Sequence, residues 1–149
     1  MSAHLAIQTA IVALLAGAPA LASSVKANAL RPMAQDVNSA IVVRVVQSRG
    51  VVPQTLGAGY RWETVFQVDC LARGAGYSTE PVAAVDAMVE GVVARLSSWT
   101  PGSDLGVIDA QADPAIDWSF DDAESPLVAA TFSFSVRHRT QSTSLAAFA

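Results

Sequence analysis

Two histidines, one cysteine and a run of seven acidic residues are the side chains of this sequence with chemical potential. Histidine near neutral pH serves as a general base or a metal ligand. His4 and His138, however, stand at opposite ends of the chain in different predicted elements, with no ligand-spaced Cys, Asp or Glu beside either. No metal site is expected from them. Cys70 is the single cysteine, so no intrachain disulfide can form. It falls on the apolar side of an alternating segment with no basic residue on that side, which marks it as a small buried hydrophobe rather than a nucleophile. Gly74-Ala75-Gly76 follows a predicted strand and precedes a predicted helix, as a dinucleotide loop does, but Thr79 stands where the third glycine belongs and no βαβ alternation follows. It reads as a turn, and no cofactor is expected. The sequence also lacks a Gly-x-Ser-x-Gly elbow, a paired-cysteine motif and a His-Glu-x-x-His helix. The expectation is a protein that is not an enzyme.

The acids are more informative. Asp104, Asp109, Asp113, Asp117, Asp121, Asp122 and Glu124 occur without one intervening base. Calcium loops need a fixed Asp-x-Asn/Asp-x-Asn/Asp-Gly core and a closing Glu, and that spacing is missing. A solvated loop and strand face remains, or an acidic surface directed at a basic partner or lining a passage for DNA, where negative walls would prevent sticking. Residues 1–74 hold six basic and three acidic side chains, whereas residues 75–149 hold three basic and ten acidic ones. That division reads either as ordinary solvated charge or as two different contact surfaces. On the acidic side, Asp121, Asp122 and Glu124 cluster at a turn between two predicted strands. The apolar faces of those strands are assigned to the core, which sends the carboxylates out from the end of the sheet. On the basic side, Arg44, Arg49, Arg61 and Arg73 are the complementary contact residues, expected to meet the acids in a neighbouring copy. The net charge of −4 and pI near 4.9 argue against binding a nucleic-acid backbone.

These residues need a frame to hold them. Length and a hydrophobic content of 52% suit one domain with one core. The clearest element is Tyr60–Arg73, where Trp62, Thr64, Phe66, Val68, Cys70 and Ala72 alternate with Arg61, Glu63, Gln67, Asp69 and Arg73, a central strand with one core face. Ser2–Ala16 reads as a helix capped by Ser2, with Leu5, Ile7, Ile11, Val12, Leu14 and Leu15 inward and His4 and Gln8 on its wet side. Although Leu5–Ala22 is apolar and signal-like, no Lys or Arg precedes Lys26, and Gly17 and Pro19 interrupt the run. It is expected to be a core helix and not a membrane span. Ser24–Leu30 is a short strand, Ala40–Ser48 a buried strand and Arg49–Gly59 a long loop. Thr79 caps a second helix running to about Ser98, with Val82, Val85, Val89, Val92 and Leu96 as its buried stripe. Leu105–Ala110 is a short strand, Asp113-Pro114 a turn, and Ile116–Phe120 and Val128–Val136 form a C-terminal hairpin. Two helices cannot surround such a sheet. The expected fold is therefore α+β: a single domain over residues 1–139, mainly antiparallel, with both helices on one face and a flexible tail over residues 140–149.

The opening His4-Leu5 helix, the alternating strand from Trp62 to Val68, the single helix after it, and the hairpin from Ile116 through Asp122 back to Val136 together resemble the tail terminator (minor tail protein U) family of long-tailed bacteriophages and related particles. The resemblance spans nearly the whole chain, which departs from the family pattern in its Ser48–Gly59 loop and beyond Arg139. It implies a structural virion protein of the tail-neck region, assembled in the host cytoplasm. Such a protein forms a homo-hexameric ring on the last ring of the tail tube protein, stops tube polymerisation, and offers a surface to the head-completion or connector protein. DNA passes through the ring without specific binding, and no membrane is involved. Another neck component, such as a head-closure or tail-completion protein, is the nearest alternative; a secreted small binding domain is a further one.

Overall fold

The computed structural model describes residues 1–28, 37–51, 55, 57–74, 80–121, 127–141 and 144–147. Helix α1 (Ala3–Ala16) is followed by strands β1 (Ser24–Ala27), β2 (Ser39–Val51) and β3 (Arg61–Arg73), helix α2 (Glu80–Ser97), and strands β4 (Val107–Asp121) and β5 (Leu127–Arg139), with a 3-10 turn at Ser103–Leu105. The five strands form one sheet in the order β1-β2-β3-β5-β4. Only β1 and β2 are parallel; the other pairs are antiparallel. The expected α+β fold is the one observed, and β3 is central as its alternation predicts.

Both helices lie on one face of the sheet. Ile7, Ile11 and Leu15 of α1 and Val85, Val92 and Leu96 of α2 pack with Ile41, Val43, Phe66, Val68, Phe132 and Phe134 in one continuous core. Each such side chain contributes about 1.5–3 kcal/mol when fully buried. Cys70 is buried in that core. A smaller cluster of Ala40, Val42 and Leu71 occupies the opposite face, with Leu127 and Ala129 against it. Ser2 caps α1 as expected, its side chain accepting from Leu5 N–H at 3.4 Å. At the other end of α1, Arg95 of α2 donates to the carbonyls of Leu14 (3.2 Å), Leu15 (3.0 Å) and Gly17 (2.8 Å), and also to that of Pro19. The last carbonyls of a helix have no partner within it and carry its negative dipole end, so a guanidinium there both satisfies and neutralises them. This one side chain ties the two helices together. Among the described residues no helix is long and apolar enough to cross a membrane.

Several expectations need correction. Gln8 is fully buried, not wet: its amide donates to Val43 O (2.9 Å) and Asn28 Oδ1 (2.8 Å), bonding to backbone at the edge of β2. His4 likewise turns inward. Leu5, assigned inward, is exposed. β2 continues to Val51, through the start of the expected loop, because its pairing with β3 persists to Val51↔Arg61. The short strand, turn and strand expected over Leu105–Phe120 are one strand, and Asp113-Pro114 is absorbed as an irregularity between Ala112 and Ile116. The Asp113 carboxylate accepts Ala115 N–H at 3.0 Å there, a local bond that closes the irregular step without reversing the chain. Where it is described, the segment after Arg139 touches the start of α1 and itself. Thr140 bridges Ala147, and Leu145 O accepts the N–H of Ala3 at 2.7 Å. The Thr79 cap, the turn at Asp122–Pro126 and residues 29–36 lie outside the described residues.

Candidate functional site

The two histidines that the sequence separates are brought together by the fold. Thr64, on the helix-covered face of β3, lies 2.9 Å from His4 Nδ1, 2.9 Å from His138 Nε2 and 2.9 Å from Ser48 Oγ. The imidazole centroids are 4.9 Å apart and nearly perpendicular, and Trp62 stacks edgewise on His4 at 5.1 Å. Trp62 in turn donates to Thr140 Oγ1 at 2.9 Å, linking the cluster to the C-terminal segment. Strand pairing explains the meeting: Ser48, Thr64 and Val136 share one row, His138 pairs with Trp62 in the next row on that face, and α1 lays His4 over it. Nothing in the local sequence signals it.

This arrangement is poorly suited to catalysis. Burial pushes the His138 pKa down to about 4, with the neighbouring His4 adding to the effect, and burial lowers His4 as well. Both rings are therefore neutral near pH 7. His138 and Thr64 have no solvent exposure, and among the described residues no carboxylate is hydrogen-bonded to either ring. Nδ1 of His138 has no hydrogen-bond partner among the described residues. The chemistry available is that of a neutral hydrogen-bonded brace between the first helix and the last strand. Among the described residues no group of three His, Cys, Asp or Glu could hold a metal ion. Cys70, its thiol pushed up to about 12 by burial and by the adjacent Asp69, is not a nucleophile. A groove of about 490 Å³ runs between the end of α2 and β4, but its one carboxylate, Asp109, is bound to Arg137.

Among the described residues, the charged contact residues proposed from sequence do not form one patch. Arg44 is ion-paired with Asp69, which also accepts from Gln67 Nε2 (2.9 Å) and Thr131 Oγ1 (2.8 Å). Arg49 and Arg61 sit at one end of the sheet, Arg49 opposite Glu63 and Arg61 opposite Arg139. Arg73 is at the other end of β3, roughly 40 Å away at about 3.3 Å per residue. There Leu127 separates it from Asp121 on the same face. Asp122 and Glu124 lie outside the described residues. The row Arg49, Glu63, Arg137, Asp109 crosses four strands with alternating sign, so much of the surface charge is balanced within the chain.

The feature that sequence reasoning missed is the exposure of the sheet's outer strands. Ile116, Trp118 and Phe120 pair with Phe132, Ala130 and Val128 and so point to the helix-covered face. β4 is the edge, however, and the helices do not extend over this stretch: Trp118 is 39% and Phe120 62% exposed. The expectation that this apolar face belongs to the core is corrected accordingly. On the far side of the sheet, β1 pairs only with Ala40–Val43, and the outer half of β2 exposes Val46 (57%) and Val51 (65%). Pro114 and the repeated aspartates of β4 were the available signal, since proline and charge are typical of edge strands.

No family model and no curated protein matches this sequence. Among solved structures, a chain from the virion of a native gene transfer agent particle is similar, at 16% identity over 93% of this chain and 92% of that chain, with a TM-score of 0.45.

Proposed function

We propose that this chain is a structural component of a phage-like particle, and specifically a tail terminator. Copies of it form a ring, most simply of six, on the end of the tail tube, where the ring stops polymerisation and presents the head-joining surface. The observation that carries this reading is the pair of sheet edges, uncovered among the described residues, that bear large exposed apolar side chains, Trp118 and Phe120 on one and Val46 and Val51 on the other. Exposed aromatic and branched residues on open strands are an aggregation hazard in a monomer and are accounted for when other subunits cover them. The resemblance of the His4-Leu5 helix, the central strand and the C-terminal hairpin to tail terminators supports the same reading. So does the neutral, buried state of the histidine cluster, which suits a brace within a building block. The chain carries no catalytic step in this role, and DNA passes through the ring without being read.

The decisive experiment removes the gene from a particle-producing host and measures tails by electron microscopy. Tubes of uncontrolled length without heads are expected. Tails of normal length lacking heads would instead assign the chain to head closure or tail completion, and unchanged particles would remove it from the neck altogether.

A further inference from the structure

We propose that the two open edges of the sheet bind each other in successive copies of this chain. The outer run of β4, Ile116–Asp121, seats against Val45–Val51 of β2 of a second copy, the half of that strand with no partner on its outer side among the described residues. The inference rests on the ring reading above and identifies the contact that builds the ring.

Charge decides the pairing. The Ile116–Asp121 run of β4 carries Asp117 and Asp121 and no base, whereas Asp109, further back on the strand, is already paired with Arg137. The Val45–Val51 half of β2 carries Arg49 and no acid, and exposed Lys26 lies on the adjoining β1. A β4-to-β4 contact would bring two rows of aspartates together, and a β2-to-β2 contact would oppose two arginines. Only the unlike pairing brings opposite charges together while covering apolar surface on both sides. Trp118 and Phe120, on the helix-covered face, then meet the Val45–Val46 stretch of β2, while Asp117 and Asp121, on the opposite face, meet Arg49.

Geometry makes the contact propagate. The two edges are on opposite sides of one sheet, so a copy bound through its β4 still offers its own β2 to the next. That is a head-to-tail interface, which closes into a ring when the rotation per copy divides a full turn. Pro114 lacks an N–H, and the register of β2 shifts between Val45 and Gln47. These irregularities confine main-chain pairing to a short stretch, which opposes indefinite sheet stacking.

The test uses the full chain and reads self-association by sedimentation over a range of concentrations. One variant reverses the acidic edge, Asp117→Arg with Ser119→Arg. The other reverses the basic edge, Arg49→Glu with Lys26→Glu. All four positions are exposed and outside the core. Each variant alone should raise the association midpoint at least tenfold, whereas mixing the two, or placing all four changes in one chain, should restore it. Should a charge variant not fold, Phe120→Ser and Val46→Ser probe the same two edges without charge. A wild type that stays monomeric at every concentration, association indifferent to both reversals, or a mixture that does not recover overturns the contact. Tail length in the deletion host is an independent readout. Normal tail termination by a chain whose association ignores the reversals would discard this interface and leave the ring reading intact.

Discussion

Replacing Arg95 by Met tests how far one side chain holds the two helices in place. The guanidinium satisfies three carbonyls at the end of α1 at 2.8–3.2 Å and reaches Pro19 O as well. A hydrogen bond to a charged group contributes about 1.5–3 kcal/mol, and a cation at a helix C-terminus about 0.3–1 kcal/mol. These contributions are not additive, because the four acceptors share one cation, and water reaches the partly exposed site once the side chain is gone. Methionine keeps much of the aliphatic packing, so the expected loss is about 2–3 kcal/mol, mostly from the carbonyls. At a urea slope of about 1.5–2 kcal/mol per M, the unfolding midpoint should fall by about 1–2 M. Urea titration followed by tryptophan fluorescence suits the measurement, since Trp99 packs 6.2 Å from Phe134 just beyond α2. Arg95→Lys should recover only part of the loss, because an ammonium lacks the planar fork that spans several acceptors. A midpoint for Arg95→Met within 0.3 M of wild type, a margin of roughly 0.5 kcal/mol on the same slope, would refute the assignment of Arg95 as the cap of α1.

Three further outcomes are expected. His138 and His4 titrate lower in the folded chain than the ordinary value of 6.5, so between pH 6.5 and about 4 the unfolded chain binds more protons. Stability conferred by the neutral rings is fully present above pH 6.5 and is lost as pH falls through that window. The thermal midpoint should decline there, and His138→Gln should flatten the decline; a midpoint independent of pH across the window would count against the buried pair. Cys70→Ser should cost about 1–3 kcal/mol by placing a hydroxyl in the core, and the wild-type thiol should resist a disulfide reagent until the protein unfolds. Rapid native labelling would contradict its burial. Phe120→Ser, at an exposed edge position, should change stability by about 0.5 kcal/mol or less while weakening self-association; a large fall in stability would show that Phe120 is packed within its own chain.

The sequence by itself determined where most of the elements lie and, along the strands, which side chains share a face. In β3 and β5 the period of two is unbroken, and in α2 Val85, Val89, Val92 and Leu96 keep helical spacing; such patterns depend only on local backbone geometry. What alternation cannot say is whether a face is covered. Ile116, Trp118 and Phe120 have the same pattern as Phe132 and Phe134, yet only the latter lie under the helices, because coverage depends on where the strand falls in the sheet order. His4 and Gln8 show the converse. Polar residues on a helix face read as solvent-facing until β2 and β3 supply Val43 O, Ser48 and Thr64 as partners, at sequence separations no local pattern encodes. Long-range pairing likewise decided that His138 meets His4 and that Arg44 is bound to Asp69 while Arg49 and Arg73 stand at opposite ends of the sheet. Composition fixes the sum of the charges; the order of strands fixes which of them face a partner.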